Sequence, residues 1–465
     1  MAYRLPPLAV PEDNPYKHDV LNRRPLVEFL AQLIERTGGP FVTALDSPWG
    51  SGKTTLVNML RVELMKQNFN CIYFNAWQVD YVTDPLVALV SSIDALKFSK
   101  SAAQTSFRKH LKTVRRVTSL IAKRAAIGGA KALTAGVLDL DAELKDITEE
   151  LVGDSVNDIV EAFQKEINLL EKFRVELEAA IGQLPKLGKK PILVYFVDEL
   201  DRCRPTFAIE LLERIKHLFD VPNIHFVLSV DKQQLEASIA AVYGQDINAT
   251  EYLRRFIDLE YGVPIVKTTQ FVTSLFLRFE LEEIFAKRTL SELRYDRSNF
   301  IDFFTTLAEV VSLSLRAQER CLTRLKIVMD QTPDNYYLEP VLVALLIVLR
   351  SNNPELFTRL FNGHASAKDV MSYLSTLKGG QKLVADRSGI SIESYLIMAD
   401  EDNERKLKTL ADLNAIANDQ KQPEEVRSRA SAVLSMTQHL NRPLSNIQTI
   451  SFAARKIDLA AGLKD

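Results

Sequence analysis

The sequence is short of the features that usually narrow a function quickly. It holds three cysteines in 465 residues, Cys71, Cys203 and Cys321, far apart and odd in number. That argues against a disulfide framework and against metal-like cysteine spacing, and predicts free thiols in a reducing compartment. The six histidines show no ligand spacing either. No charge of one sign dominates: 58 Lys and Arg against 60 Asp and Glu leave a formal net charge of −2, which argues neither for nor against a nucleic-acid partner. Long apolar runs are missing. The most apolar stretch, Val341 to Leu349, is far shorter than the roughly 20 residues of a bilayer span, so it predicts a buried helix and no membrane span. Met1 to Pro7 carries no apolar core of signal-peptide type, which makes the cytoplasm the expected location. There is no internal repeat, no nuclease, deaminase or protease constellation, and no Asn-Lys-x-Asp guanine motif. An apolar fraction of 46% and a charged fraction of 25% are ordinary for a globular protein of two or three units.

What is present centres on one stretch, Ser47, Pro48, Trp49, Gly50, Ser51, Gly52, Lys53, Thr54 and Thr55. An apolar run from Pro40 to Leu45 before it reads as a buried strand, and Leu56 to Leu64 after it has helical spacing. Strand, Gly-rich loop, Gly-Lys-Thr and helix form the setting of a phosphate-binding loop, where backbone N–H groups and the helix end cradle phosphate oxygens. In that setting Lys53 reaches the β/γ-phosphates and the Thr54 hydroxyl binds Mg²⁺. Ser47 stands where the pattern usually begins with glycine.

Strands and helices then alternate, which predicts a doubly wound, mostly parallel α/β sheet. Phe69 to Phe74 reads as a second strand, Ile192 to Val197 as a central one, and Ile224 to Val230 as another. Residues 97–184 interrupt this rhythm as a charged helical insertion. Lys97–Lys131 holds ten Lys and Arg and no acid, whereas Asp139–Glu178 holds thirteen acids and four bases. Two readings follow: the halves neutralise each other, or the basic half is a surface for nucleic acid, anionic lipid or a partner subunit. From Thr268 onward only helices are expected. The resulting division is 1–96 for the N-terminal arm and first half of the core, 97–184 for the insertion, 185–266 for the second half, and 267–465 for a helical lid and C-terminal helical domain.

The central strand ends in Asp198 and Glu199. Hydrolysis of a nucleotide needs a carboxylate for the metal and a group that orients or activates water, placed where α/β sheets bind ligands. Asp198 takes the metal role and Glu199 that of general base. Ser229 or Asp231 suits a γ-phosphate sensor, although Asp231 equally suits a helix N-cap. Arg254 and Arg255 are candidates for a finger completing a neighbour's site, or else a surface pair. Arg202 and Arg204 suit the same part from beside the metal site. Arg316 suits a lid contact or an ion pair with Glu319.

Together these residues resemble the KAP family of P-loop NTPases. The marks are Pro48 to Thr55, Phe74-Asn75-Ala76-Trp77, Asp198 to Cys203 and Phe226 to Asp231, with Asp19 to Arg23 and Tyr252 to Arg255 as weaker matches. Glu199 replaces the second Asp of many members. The resemblance implies an ASCE-type P-loop fold and preference for ATP with Mg²⁺. It also implies a place for Arg23 beside the base or ribose, assembly of subunits around the nucleotide, and a link of soluble prokaryotic members to phage defence. Three functions follow from the sequence as expectations: an ATPase regulating a partner complex, an ATP-dependent scaffold with little turnover, and a nucleic-acid-stimulated motor or remodeller.

Overall fold

A computed structural model of the chain describes residues 3–129, 156–264, 268–290, 293–334, 336, 338–441 and 448–458. Lys131, the acidic stretch up to Ser155 and Pro443 lie outside the described residues. The chain divides into two compact units, Leu8–Pro264 and a second formed by Met1–Pro7 with Ile265–Asp465.

The first unit runs α1 (Arg24–Arg36), β1 (Phe41–Asp46), α2 (Lys53–Lys66), β2 (Asn70–Asn75), α3 (Ala76–Val79), α4 (Pro85–Ser92), α5 (Ala102–Gly129), α6 (Val156–Ile181), β3 (Leu193–Asp198), α7 (Pro205–Leu218), β4 (Ile224–Val230), α8 (Lys232–Tyr243), α9 (Ala249–Leu253) and β5 (Leu259–Gly262). Its strands form one sheet in the order β2-β3-β4-β1-β5, with every neighbouring pair parallel. Every residue of β3 and β4 is buried, as expected of central strands covered on both faces. This is the doubly wound α/β sheet, and in it β4 lies between the phosphate-loop strand β1 and the acid-bearing strand β3, the ASCE arrangement.

Period-two alternation sends neighbouring residues to opposite faces. Val194 and Phe196 pack with Val27, Leu30 and Ile34 of α1 and Leu56 and Leu60 of α2. Tyr195 and Val197 pack on the other face, with α4, α7 and the insertion. There α5 buries Phe107, Leu111, Val114 and Ile121 at helical spacing against Phe173, Leu177 and Ile181 of α6. Phe219 joins insertion to sheet, edge-on to Phe173, Tyr195 and Phe226 at centroid distances of 5.6, 5.7 and 5.6 Å.

Arg108 and Arg115 pair with Asp94, which precedes the acidic half, and His110 meets Glu176 at 2.7 Å. Lys109, Lys112 and Arg116 lie on the exposed side of α5, opposite its buried stripe.

In the second unit helices follow one another from Thr268 to Ile457 with no strand among the described residues. Their core is the helix Pro340–Asn352, buried at every position from Pro340 to Leu349. The apolar run is thus a core helix, and among the described residues no helix is long and apolar enough to cross a membrane.

Candidate active site

The carboxyl ends of the strands assemble the predicted site. β1 ends at Asp46, whose carboxylate accepts from the Lys232 N–H at 2.8 Å, and the Ser47 N–H donates to the Val230 carbonyl at 3.2 Å. The loop that follows turns at Gly50 (φ 78°) and Gly52 (φ 87°), left-handed values that a side chain would disfavour. Lys53 opens α2, and its Nζ donates to the Ser47 carbonyl and, at 3.3 Å, to that of Pro48. Burial lowers the Lys53 pKa, opposed by the fields of Asp201, Asp231, Asp198 and Asp46. Lys53 is therefore a buried cation facing acids across the loop. Thr54 is exposed and Thr55 half-buried on the first turn.

In register, Asn75 of β2 lies opposite Asp198 of β3, and Asp198 opposite Ser229 of β4. Asp198 is buried and accepts from the Tyr73 hydroxyl and from the Glu199 N–H, both at 3.0 Å. Glu199 takes a left-handed conformation at φ 60°, uncommon for a residue with a side chain and frequent at functional turns. The Asn75 amide donates to its Oε2 at 2.9 Å, and the Arg202 guanidinium meets its Oε1 at 3.2 Å. Asp201 is buried, and burial raises its pKa against the pull of the Trp49 indole and Lys53. The Trp49 indole N–H donates to Asp201, and the Trp49 backbone N–H to Asp231 at 3.2 Å. Asp231 also caps α8 through Gln234, so its N-cap role is present, together with a hold on the phosphate loop.

The hydroxyls of Ser51 and Ser229 are buried without a hydrogen-bond partner. Orphaned donors are costly, and anionic oxygens satisfy them, so the loop and the β4 end fit a phosphate group. Thr54 and Asp198 supply the hard oxygen donors that Mg²⁺ takes.

The structure does not bring all predicted residues to this edge. Arg254 pairs with Glu251, and Arg255 stacks on Tyr252 with its guanidinium carbon 5.7 Å from the ring centroid. Both precede β5, whose start is tied to Val42 near the start of β1 through Asp258. They therefore sit at the sheet edge opposite Lys53. Arg204 is drawn to Asp80, with its backbone N–H donating to that carboxylate at 3.2 Å. Arg23 is buried, donates to the Pro264 carbonyl at 2.9 Å just past β5, and leaves its Nε without a partner. Burial lowers its pKa. Arg316 is exposed on the first turn of the helix Leu315–Asp330 in the second unit. Tyr73, Asn75, Asp201 and the contact between Arg202 and Glu199 were not evident from spacing. Phe69 to Phe74 already reads as a strand, and the Phe74-Asn75-Ala76-Trp77 mark of the resemblance is the signal that ties it to the site.

Comparison with known proteins settles the family. The model of the KAP family P-loop domain matches residues 23–331. The chain belongs to the KAP family. This KAP protein is 22% identical over 232 residues to the phage T7 exclusion protein of Escherichia coli (strain K12), a match spanning 48% of the chain and 30% of that relative. Solved structures similar to it include the ORC2 protein of Aeropyrum pernix, at 14% identity and a TM-score of 0.31, covering 94% of this chain and 96% of that one. CDC6P of Pyrobaculum aerophilum aligns at 12% identity and a TM-score of 0.32, covering 94% and 98%. As a KAP P-loop domain the chain is of the nucleotide-binding kind.

Proposed function

We propose that this KAP protein is a Mg²⁺-dependent ATPase that couples ATP binding and hydrolysis to the assembly or regulation of a partner complex. The observation that carries the reading is the placement of Lys53, Asp198 and Glu199 at the carboxyl ends of the strands. Ser47, Trp49, Gly50, Ser51, Gly52 and Thr55 form the phosphate loop around Lys53, which neutralises the β/γ-phosphates. Thr54 and Asp198 hold Mg²⁺, which when bound offsets phosphate charge. Glu199 orients the attacking water and accepts its proton. Arg23, buried with a free Nε near the end of β5, suits a contact to base or ribose. Arg254 and Arg255, exposed at the far edge, suit a neighbour's site in a homo-oligomer. The nucleotide core then comprises 1–96 and 185–266, with 97–184 and 267–465 as the parts that transmit its state. Likeness to a phage exclusion protein supports a process in phage defence.

Phosphate release from ATP with Mg²⁺ tests this. Lys53→Ala should lose nucleotide affinity, while Glu199→Gln should keep affinity and lose turnover by about 10²- to 10⁴-fold. Full turnover in Glu199→Gln would remove Glu199 from the chemistry. A second reading, an ATP-dependent scaffold with little turnover, is favoured by the engagement of both Glu199 oxygens. Particle size with and without ATP, measured beside turnover, separates the two. The exposed Lys109 and Lys112 favour a nucleic-acid contact that stimulates the ATPase.

A further inference from the structure

The guanidinium of Arg202 lies near both tryptophans of the chain, its central carbon 5.9 Å from the Trp49 ring centroid and 5.7 Å from that of Trp77. Both indoles are exposed, at 44% and 51%, although large aromatic rings are normally covered. The same guanidinium pairs with Glu199 Oε1. Trp49 belongs to the phosphate loop and is tied by its indole N–H to Asp201, the residue before Arg202. Trp77 belongs to α3, which Asn75 caps through the Gln78 N–H while its amide holds the other oxygen of Glu199. Two rings beside one planar cation limit where it rests, and Lys lacks the planar face to share with them.

We propose that Arg202 is a positioning residue for Glu199 and that the phosphate loop sets its position through Trp49. A carboxylate oxygen paired with a guanidinium is less available to a water molecule. Nucleotide in the loop shifts Trp49, its contact with Arg202 opens, and Arg202 releases Oε1 while Asn75 keeps Oε2 in place. Loop occupancy and readiness of the base are thus linked through a single side chain. The proposal rests on the ATPase reading for the role of Glu199. The relay itself is readable with ADP and needs no hydrolysis.

Trp49→Phe keeps a ring over Arg202 and leaves Trp77 as the sole indole. With ADP binding followed independently by calorimetry, ADP should change Trp77 emission in Trp49→Phe, and adding Arg202→Gln should abolish that response without loss of ADP binding. In otherwise unchanged protein, Arg202→Gln should raise basal phosphate release by on the order of tenfold with KM within about twofold, and Arg202→Lys should fall between. A Trp77 response that survives Arg202→Gln, or that is missing in Trp49→Phe while ADP binds, overturns the relay. A fall in turnover on Arg202→Gln overturns the restraint on Glu199. Absence of ATP turnover in every form, with the Trp77 response intact, overturns the ATPase reading and leaves the relay standing.

Discussion

Asn75 and Glu199, 124 residues apart in sequence, are joined by an amide-to-carboxylate hydrogen bond of 2.9 Å across the carboxyl ends of β2 and β3. Parallel register makes this possible, because it sets Asn75 opposite Asp198, one residue before Glu199. The left-handed turn at Glu199 then brings its side chain back toward β2.

Replacing that amide is the sharpest test of its role. Asn75→Asp keeps an acceptor for the Gln78 N–H at the start of α3, but loses the donor and sets a like charge against Glu199. Turnover should fall by about tenfold while nucleotide affinity holds, a split visible in kcat against KM and in calorimetry. Equal losses in both would mean that Asn75 acts on the loop.

The exposed face of α5 makes a second case. Arg108 and Arg115 are engaged by Asp94, whereas Lys109 and Lys112 face solvent. If the surface binds nucleic acid, Lys109→Gln with Lys112→Gln should lower the salt-dependence slope by roughly two, and Arg108→Gln should change it less. Binding measured between low and moderate salt decides this. An unchanged slope would place the contact elsewhere.

Glu339 gives the helical unit a pH signature. Burial and the nearby Asp296 push its pKa up to about 7 from 4.5, with Tyr395 donating in opposition. An acid whose pKa is raised by folding contributes its full share of stability below the unfolded value and loses it as pH rises through the folded one. Stability should therefore decline between about pH 4.5 and 7 on account of this group. Glu339→Gln keeps a polar partner for Tyr395 and should be more stable than the parent at pH 8, by up to about 3 kcal/mol, but not at pH 4. Denaturant unfolding at the two pH values checks the sign.

Phe219 tests the join between insertion and sheet. It contacts rings from α6, β3 and β4 and is buried to 1% exposure. Phe219→Ala should cost about 3–5 kcal/mol in chemical denaturation, and Phe219→Met, which fills more of the space but loses the ring contacts, should cost less than that.

The sheet was largely legible in advance, because β1, β3 and β4 are apolar runs of strand length flanked by glycine, proline or acids. β5 was less so: four residues at the sheet edge, half of them exposed, carry little pattern. The phosphate loop and the Asp198-Glu199 pair could be proposed from spacing because each is local in sequence. The partners that hold them are not local. Tyr73 and Asn75 reach β3 from another strand, Trp49 meets Asp201 across 152 residues, and Arg202 finds rings from two separate segments. Chain order alone does not show which strands become neighbours, so Arg202 read as a possible finger where the structure gives it Glu199. For Arg254 and Arg255 the obstacle is different, since a role in a neighbouring subunit leaves no mark within one chain.

The interposition of β4 also sets a width. With neighbouring strands about 4.8 Å apart, the ends of β1 and β3 stand roughly 10 Å from each other. The Lys53 ammonium reaches back to the Ser47 and Pro48 carbonyls and feels the fields of acids at both strand ends, Asp46 and Asp198. The sheet itself fixes the width between the two strand ends, a gap ruled by hydrogen-bonded backbone and therefore insensitive to side-chain substitution.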